Sequence, residues 1–266
     1  MELKYRTFVE ITLLLACSVM FYGCGQSEDQ SQVRVFAASS LREVFLEARS
    51  EFQSSNPSIV VDFNFGGSSM LRTQLELGGG ADVFASADGR QMSLAEKAGV
   101  VSQNPITFAK NRLAVATSVD NTRVMAMQDL ARDGVRLVLA QPEVPIGAYA
   151  REVLDNMGEI PKFGEDYIEK VLSNVISLEI NVSQIIGKIA IGEADAGVVY
   201  STNLVSGVGE KLKNIPMPHE INVEASYFIA VASDTESPEA AEAFIDYLLS
   251  PKGKALLTKY GFGLPQ

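Results

Sequence analysis

One construction constrains this chain more than any other. A short β-type run ends in small or polar residues and passes, with almost no loop, into a stretch whose apolar residues recur at helical spacing. It is met first at Val33-Arg34-Val35-Phe36-Ala37-Ala38-Ser39-Ser40-Leu41, where Leu41, Val44, Phe45, Ala48 and Phe52 predict one buried helix face. It recurs where Ile59-Val60-Val61-Asp62-Phe63 runs into Gly66-Gly67-Ser68-Ser69, and where Leu137-Val138-Leu139-Ala140 leads through Pro145-Ile146-Gly147. A further case is Val175-Ile176-Ser177-Leu178, which leads through Asn181 into a helix with Val182, Ile185, Ile186 and Ile189 on one face. Strands that alternate with helices from end to end give an α/β class with mainly parallel sheets.

Each junction alone has a plain explanation. A serine or asparagine at a helix entrance caps it, because its oxygen meets the free N–H groups of the first turn. Together the junctions have a second explanation. Every helix start offers unpaired N–H groups and about half a positive charge, and ligands of open α/β sheets sit beyond the carboxyl ends of the strands. If two small domains face each other across a cleft, helix starts at Ser40, Ser68, Ile146 and Val182 could converge on one compact oxyanion. Neutral donors suffice. Five to seven hydrogen bonds to a charged acceptor, at about 1.5–3 kcal/mol each, give roughly 8–20 kcal/mol before desolvation is subtracted. Nanomolar affinity needs about 12 kcal/mol.

Composition removes many rivals. The formal net charge of −11 argues against nucleic acid and against docking on anionic lipid. Both cysteines, Cys17 and Cys24, lie near the N-terminus, so the body has no thiol nucleophile, disulfide or cysteine metal site. The single histidine, His219, stands beside Pro218 and cannot anchor a triad or a zinc cluster. A domain crossing is expected near residue 112, after the basic pair Lys110 and Arg112, and Tyr227 to Ala232 reads as the return strand. Helices from Pro238 to Leu249 and from Pro251 to Tyr260 close the chain.

The N-terminus reads as a targeting segment. Lys4 and Arg6 precede an apolar stretch from Thr7 to Tyr22, broken by Glu10, too short and irregular for a membrane span. Gly23-Cys24, followed by the polar run Gly25 to Gln32, resembles a bacterial lipoprotein processing site, which makes Cys24 the lipidated residue. An ordinary signal peptide is the alternative.

A wider resemblance rests on an ordered set of motifs. These are Val35-Phe36-Ala37-Ala38-Ser39-Ser40-Leu41, Phe65-Gly66-Gly67-Ser68-Ser69, Ala81-Asp82-Val83-Phe84-Ala85-Ser86-Ala87-Asp88, Val144-Pro145-Ile146-Gly147-Ala148-Tyr149-Ala150, Asn181-Val182 and Gly192-Glu193-Ala194-Asp195-Ala196-Gly197-Val198-Val199-Tyr200. The set, spanning Val33 to Phe262, resembles the molybdate-binding proteins of bacterial ABC importers. The resemblance implies a two-lobed binding-protein fold of type II, each lobe a mainly parallel sheet flanked by helices, with a cleft between them. Lobe 1 would comprise 33–112 plus 223–266 and lobe 2 113–222, after a signal peptide at 1–23 and a tether at 24–32. It further implies that the hydroxyls of Ser40, Ser68 and Tyr200 and the backbone N–H groups of Ile146 and Val182 hold the anion. Isoleucine at 146 departs from the more usual alanine.

The function so implied is that of a solute-binding lipoprotein, not an enzyme and without a cofactor. It would take molybdate, and tungstate with it, to the permease of an ABC importer. It would be a monomer in the periplasm or at the cell surface, touching the membrane through its lipid alone. Two alternatives stay open: a binder of another tetrahedral oxyanion, sulfate or phosphate, and a serine hydrolase using Ser40 or Ser68. The second has no histidine partner to call on.

Overall fold

The computed structural model describes residues 30–265; the expected signal segment, Cys24 and most of the expected tether lie outside the described residues. Strand β1 (Ser31–Ala38) opens the fold, two residues before the sequence predicts it. A 3-10 turn over Ser39–Leu41 leads into helix α1 (Arg42–Ser55), which buries Val44, Phe45, Ala48 and Phe52 as the periodicity predicts. β2 (Ile59–Gly66) and α2 (Ser68–Glu76) repeat the plan, and β3 (Val83–Ser86) with α3 (Gly89–Lys97) repeats it again.

The chain then enters β4 (Ile106–Ser118), a thirteen-residue strand. β5 (Leu137–Ala140) leads to α4 (Pro145–Gly158), where Pro145 occupies a position whose missing N–H costs nothing. α5 (Tyr167–Ser173) precedes β6 (Val175–Glu179), which feeds α6 (Val182–Ala190). β7 (Ala196–Tyr200), β8 (Leu212–Ile215) and β9 (Glu224–Val231) follow, and α7 (Pro238–Leu249) and α8 (Pro251–Lys259) end the chain.

The strands are ordered β2-β1-β3-β9-β4-β7-β5-β6, with β8 also paired to β4. β4 makes the molecule two-lobed. Its first part, Ile106–Arg112, pairs with β9, and its second, Leu113–Thr117, pairs with β7. The parallel pairings expected from strand–helix alternation hold for β1 with β2 and β3, and for β5 with β6 and β7. Those through β4 and β9 are antiparallel, because these strands carry the chain between lobes without an intervening crossover helix.

In the first lobe Phe45 and Phe52 both meet Phe244 edge-on, at centroid distances of 6.0 and 5.4 Å, which ties α7 back to α1. In the second lobe Val182, Ile185, Ile186 and Ile189 of α6 are all buried. A 3-10 turn spans Met127–Ala131, β4 begins at Ile106, well before the crossing expected near residue 112, and β9 begins at Glu224 rather than Tyr227. Among the described residues no helix is long and apolar enough to cross a membrane.

Candidate functional site

All the predicted junctions open onto one cavity. Its lining includes Ser39 and Ser40 from the turn after β1, Gly66, Gly67 and Ser68 at the start of α2, and Ala87 after β3. From the second lobe come Val144 to Ile146 at the start of α4, Asn181 and Val182 at the start of α6, and Tyr200 at the end of β7. Ser40, Ser68, Ile146, Val182 and Tyr200 are therefore brought together. The centre of a water-sized sphere can range over about 10 Å³ there, near the least that admits one ordered water. A site on this scale takes a compact ligand. No charged side chain lines it.

The serines do not cap their helices. No side-chain cap bond is made at Ala38, Leu41 or Gly67, the residues that stand at the helix entrances. Ser68 Oγ instead accepts the Ala87 N–H at 3.1 Å. A backbone N–H can only donate, so the Ser68 proton is left for another acceptor. Ser40 Oγ lies 2.9 Å from Tyr227 Oη, and Asn111 Nδ2 lies 3.3 Å from the same phenolic oxygen. Tyr200 is buried, and its Oη has no hydrogen-bond partner within the protein. Burial pushes the Tyr200 phenol well above its ordinary pKa, so it is a proton donor at neutral pH.

Two backbone donors complete the lining. Val182 is the first residue of α6 and Ile146 the second of α4, and in a first turn an N–H has no carbonyl four residues back within its own helix. Asn181 caps α6, its Oδ1 accepting the Gln184 N–H at 3.1 Å, as the sequence predicts. Gly147 allows the tight approach of α4 to the preceding loop, because a Cβ there would lie 2.0 Å from Gln141 O. The Ile146 side chain is buried and forms part of the wall.

The arrangement is a cage of donors with little to accept a proton. Asp88, just after Ala87, is buried with Oδ1 accepting the Gln91 N–H at 2.8 Å, and burial raises its pKa. A larger cavity of about 220 Å³ adjoins the cage through Ser39 and Ser40, but Arg42 and Glu43 line it with opposite charges. Among the described residues no group of three His, Cys, Asp or Glu side chains could hold a metal ion. Sequence reasoning missed Tyr227 and Asn111. The one signal for Tyr227 was a phenol in an otherwise apolar strand, whose hydroxyl needs a partner when buried.

Comparison with known proteins bears on the family and the fold. The family described as bacterial extracellular solute-binding protein matches residues 33–263. The molybdate-binding protein ModA of Mycobacterium tuberculosis (strain ATCC 25618 / H37Rv) is 34% identical over 242 residues, covering 91% of this chain and 88% of its own. Among solved structures, the periplasmic molybdate-binding protein of Azotobacter vinelandii superposes with a TM-score of 0.74 at 21% identity, over 88% of this chain and 100% of its own. The sulfate-binding protein SubI from Mycobacterium tuberculosis H37Rv gives 0.75 at 16%, over 88% and 87%. The two structural likenesses, nearly equal, speak for the fold and not for the anion.

Proposed function

The chain belongs to the bacterial extracellular solute-binding proteins, and on that footing we propose that it captures molybdate, and tungstate with it, between its lobes and hands it to the permease of an ABC importer. The observation that carries this reading is the lining of the small cavity: the hydroxyl residues Ser39, Ser40, Ser68 and Tyr200 and the starts of α2, α4 and α6, drawn from both lobes, without a charged side chain. Ser40, Ser68 and Tyr200 donate through their hydroxyls, and Ile146 and Val182 through their N–H groups. The 34% identity with a molybdate-binding protein supports the choice of anion.

The switch of β4 from β9 to β7 between Arg112 and Leu113 supports lobes at 33–112 plus 223–266 and at 113–222. Cys24 would carry the lipid that holds the protein, a monomer, at the periplasmic or outer face of the membrane. A binding protein that delivers its ligand unchanged needs no catalytic group, and none is assigned.

Calorimetric titration of the purified protein tests the reading. Molybdate and tungstate are expected to bind tightly and sulfate weakly, because donors drawn from two sides onto the oxygens of a larger anion cannot all reach those of a smaller one. Sulfate affinity equal to that of molybdate would overturn the choice of anion while leaving an oxyanion site. Ser68→Ala is expected to weaken molybdate binding at least tenfold, the loss of about 1.5 kcal/mol or more for one hydrogen bond to a charged group. Unchanged affinity removes Ser68 from the site.

A further inference from the structure

The hydroxyl of Ser40 could point either way: toward Tyr227, or toward the ligand. Its neighbours decide. The Arg112 N–H donates to Asn111 Oδ1 at 2.9 Å, and a backbone N–H cannot accept, so the oxygen end of the Asn111 amide is fixed. The other end is therefore the NH2 group, which donates to Thr202 Oγ1 at 2.7 Å and to Tyr227 Oη at 3.3 Å. Asn111 and Tyr227 are both buried, with 4% and 0% exposure, so water does not substitute for these bonds. Having accepted from the amide, the Tyr227 hydroxyl has one proton, and Ser40 Oγ at 2.9 Å stands in hydrogen-bond geometry to take it; the Tyr200 ring also lies beside Tyr227, with centroids 5.7 Å apart, but its hydroxyl meets no partner in hydrogen-bond geometry.

From this order of donors we infer that Asn111 and Tyr227 are positioning residues that turn the Ser40 proton into the cavity. The inference deepens the proposed function and rests on Ser40 being a ligand donor. The chain of bonds runs from Asn111 Nδ2 through Tyr227 Oη to Ser40 Oγ, and each hydroxyl along it accepts from behind and donates ahead. Ser68 reaches the same state by another route, accepting from the Ala87 N–H. Both serines thus meet the ligand as donors, which suits a fully deprotonated oxyanion and disfavours one that brings its own O–H. The source of the Ser40 orientation lies where β4 passes between lobes, since Asn111 stands one residue before Arg112, the last to pair with β9 before Leu113 pairs with β7.

A double-mutant cycle read by calorimetry with molybdate tests this. Tyr227→Phe keeps the ring and its packing while removing the link. It is expected to weaken molybdate about three- to tenfold when Ser40 is present, and less than twofold in a Ser40→Ala background. Asn111→Ala is expected to behave in the same way, and a thermal melt of each variant accompanies the titrations. Equal losses in both backgrounds would show a packing effect and overturn the relay while leaving Ser40 in the site. Full molybdate affinity in Tyr227→Phe and Asn111→Ala also overturns it. A Ser40→Ala protein that binds molybdate normally would instead strike at Ser40 as a ligand donor, and the relay falls with it.

Discussion

At Gly67 the loop before α2 closely approaches the loop before α6, and replacing this glycine should keep the two lobes apart. A Cβ added there would lie 2.2 Å from the carbonyl oxygen of Ile180 and 3.7 Å from Asn181 Cβ. Gly67 has φ −69° and ψ 135°, ordinary extended backbone, so Gly67→Ala brings no strain of its own. The whole cost falls on the contact between the loop before α2 and the loop before α6. Ordinary contact begins near 3.4 Å, so the loops must part by about 1 Å or more. Ser68 and Val182 stand directly beside this contact, one on each side. A hydrogen bond stretched by about 1 Å from its usual 2.9 Å is no longer one. Losing one bond to a charged ligand costs about 1.5–3 kcal/mol, a factor of about 10 to 150 in affinity. Calorimetry with molybdate gives the size of the loss, and a thermal melt without ligand should be nearly unchanged. If Gly67→Ala bound molybdate within about threefold of the parent, the lobes would not need this approach, and the argument would fail.

Other changes probe the same chemistry. Tyr200→Phe removes a buried hydroxyl that has no partner within the protein, so the ligand-free melting temperature should hold or rise, while molybdate affinity falls about tenfold or more. A drop in both would mean that the hydroxyl supports the fold and not the ligand. Asp88→Asn keeps an oxygen for the Gln91 N–H but removes a negative charge next to Ala87, and should tighten molybdate about twofold or more at pH 8; weaker binding would contradict it. Asp195 is buried, which pushes its pKa up, yet the Arg136 side chain at 2.8 Å and the Arg136 N–H at 2.9 Å more than offset this and hold it below the ordinary value. A depressed acid contributes stability that is present above its unfolded pKa, about 3.9, and is lost as pH falls through the folded one. Urea unfolding should therefore find Asp195→Asn less stable than the parent at pH 7, with the gap narrowing below about pH 4; a constant gap would refute the ion-pair account.

The parts of the cage that could be read in the sequence are those whose signal is local. Val182, Ile185, Ile186 and Ile189 share a helix face because of their spacing, and Asn181 caps that helix because its side chain reaches three residues on. What the serines do was not local. Ser40 finds its partner 187 residues away and Ser68 finds its partner 19 residues away, so a capping role was the natural expectation and the folded chain overrules it. The first half of β4 was hidden for a related reason. In the sequence Lys110 and Arg112 are only a basic pair ahead of the expected crossing, yet Lys110 pairs with Glu224 across the strands at 2.6 Å and Asn111 turns inward to Thr202 and Tyr227. Helix α5 rests on Tyr167, whose hydroxyl donates to Met127 O across 40 residues, another link that no short window contains.

Strand β4 belongs to both lobes at once, and that rules out cutting the molecule in two. A fragment ending at residue 112 would keep seven strand residues, Ile106–Arg112, and lose the edge on which β7 and β8 assemble. The complementary fragment would begin mid-strand, keeping the pairings of β4 with β7 and β8 but losing the Ile106–Arg112 half that continues the strand onto β9. Neither piece should be recoverable by itself, and denaturation should pass through one transition that an anion gripped on both sides displaces as a whole.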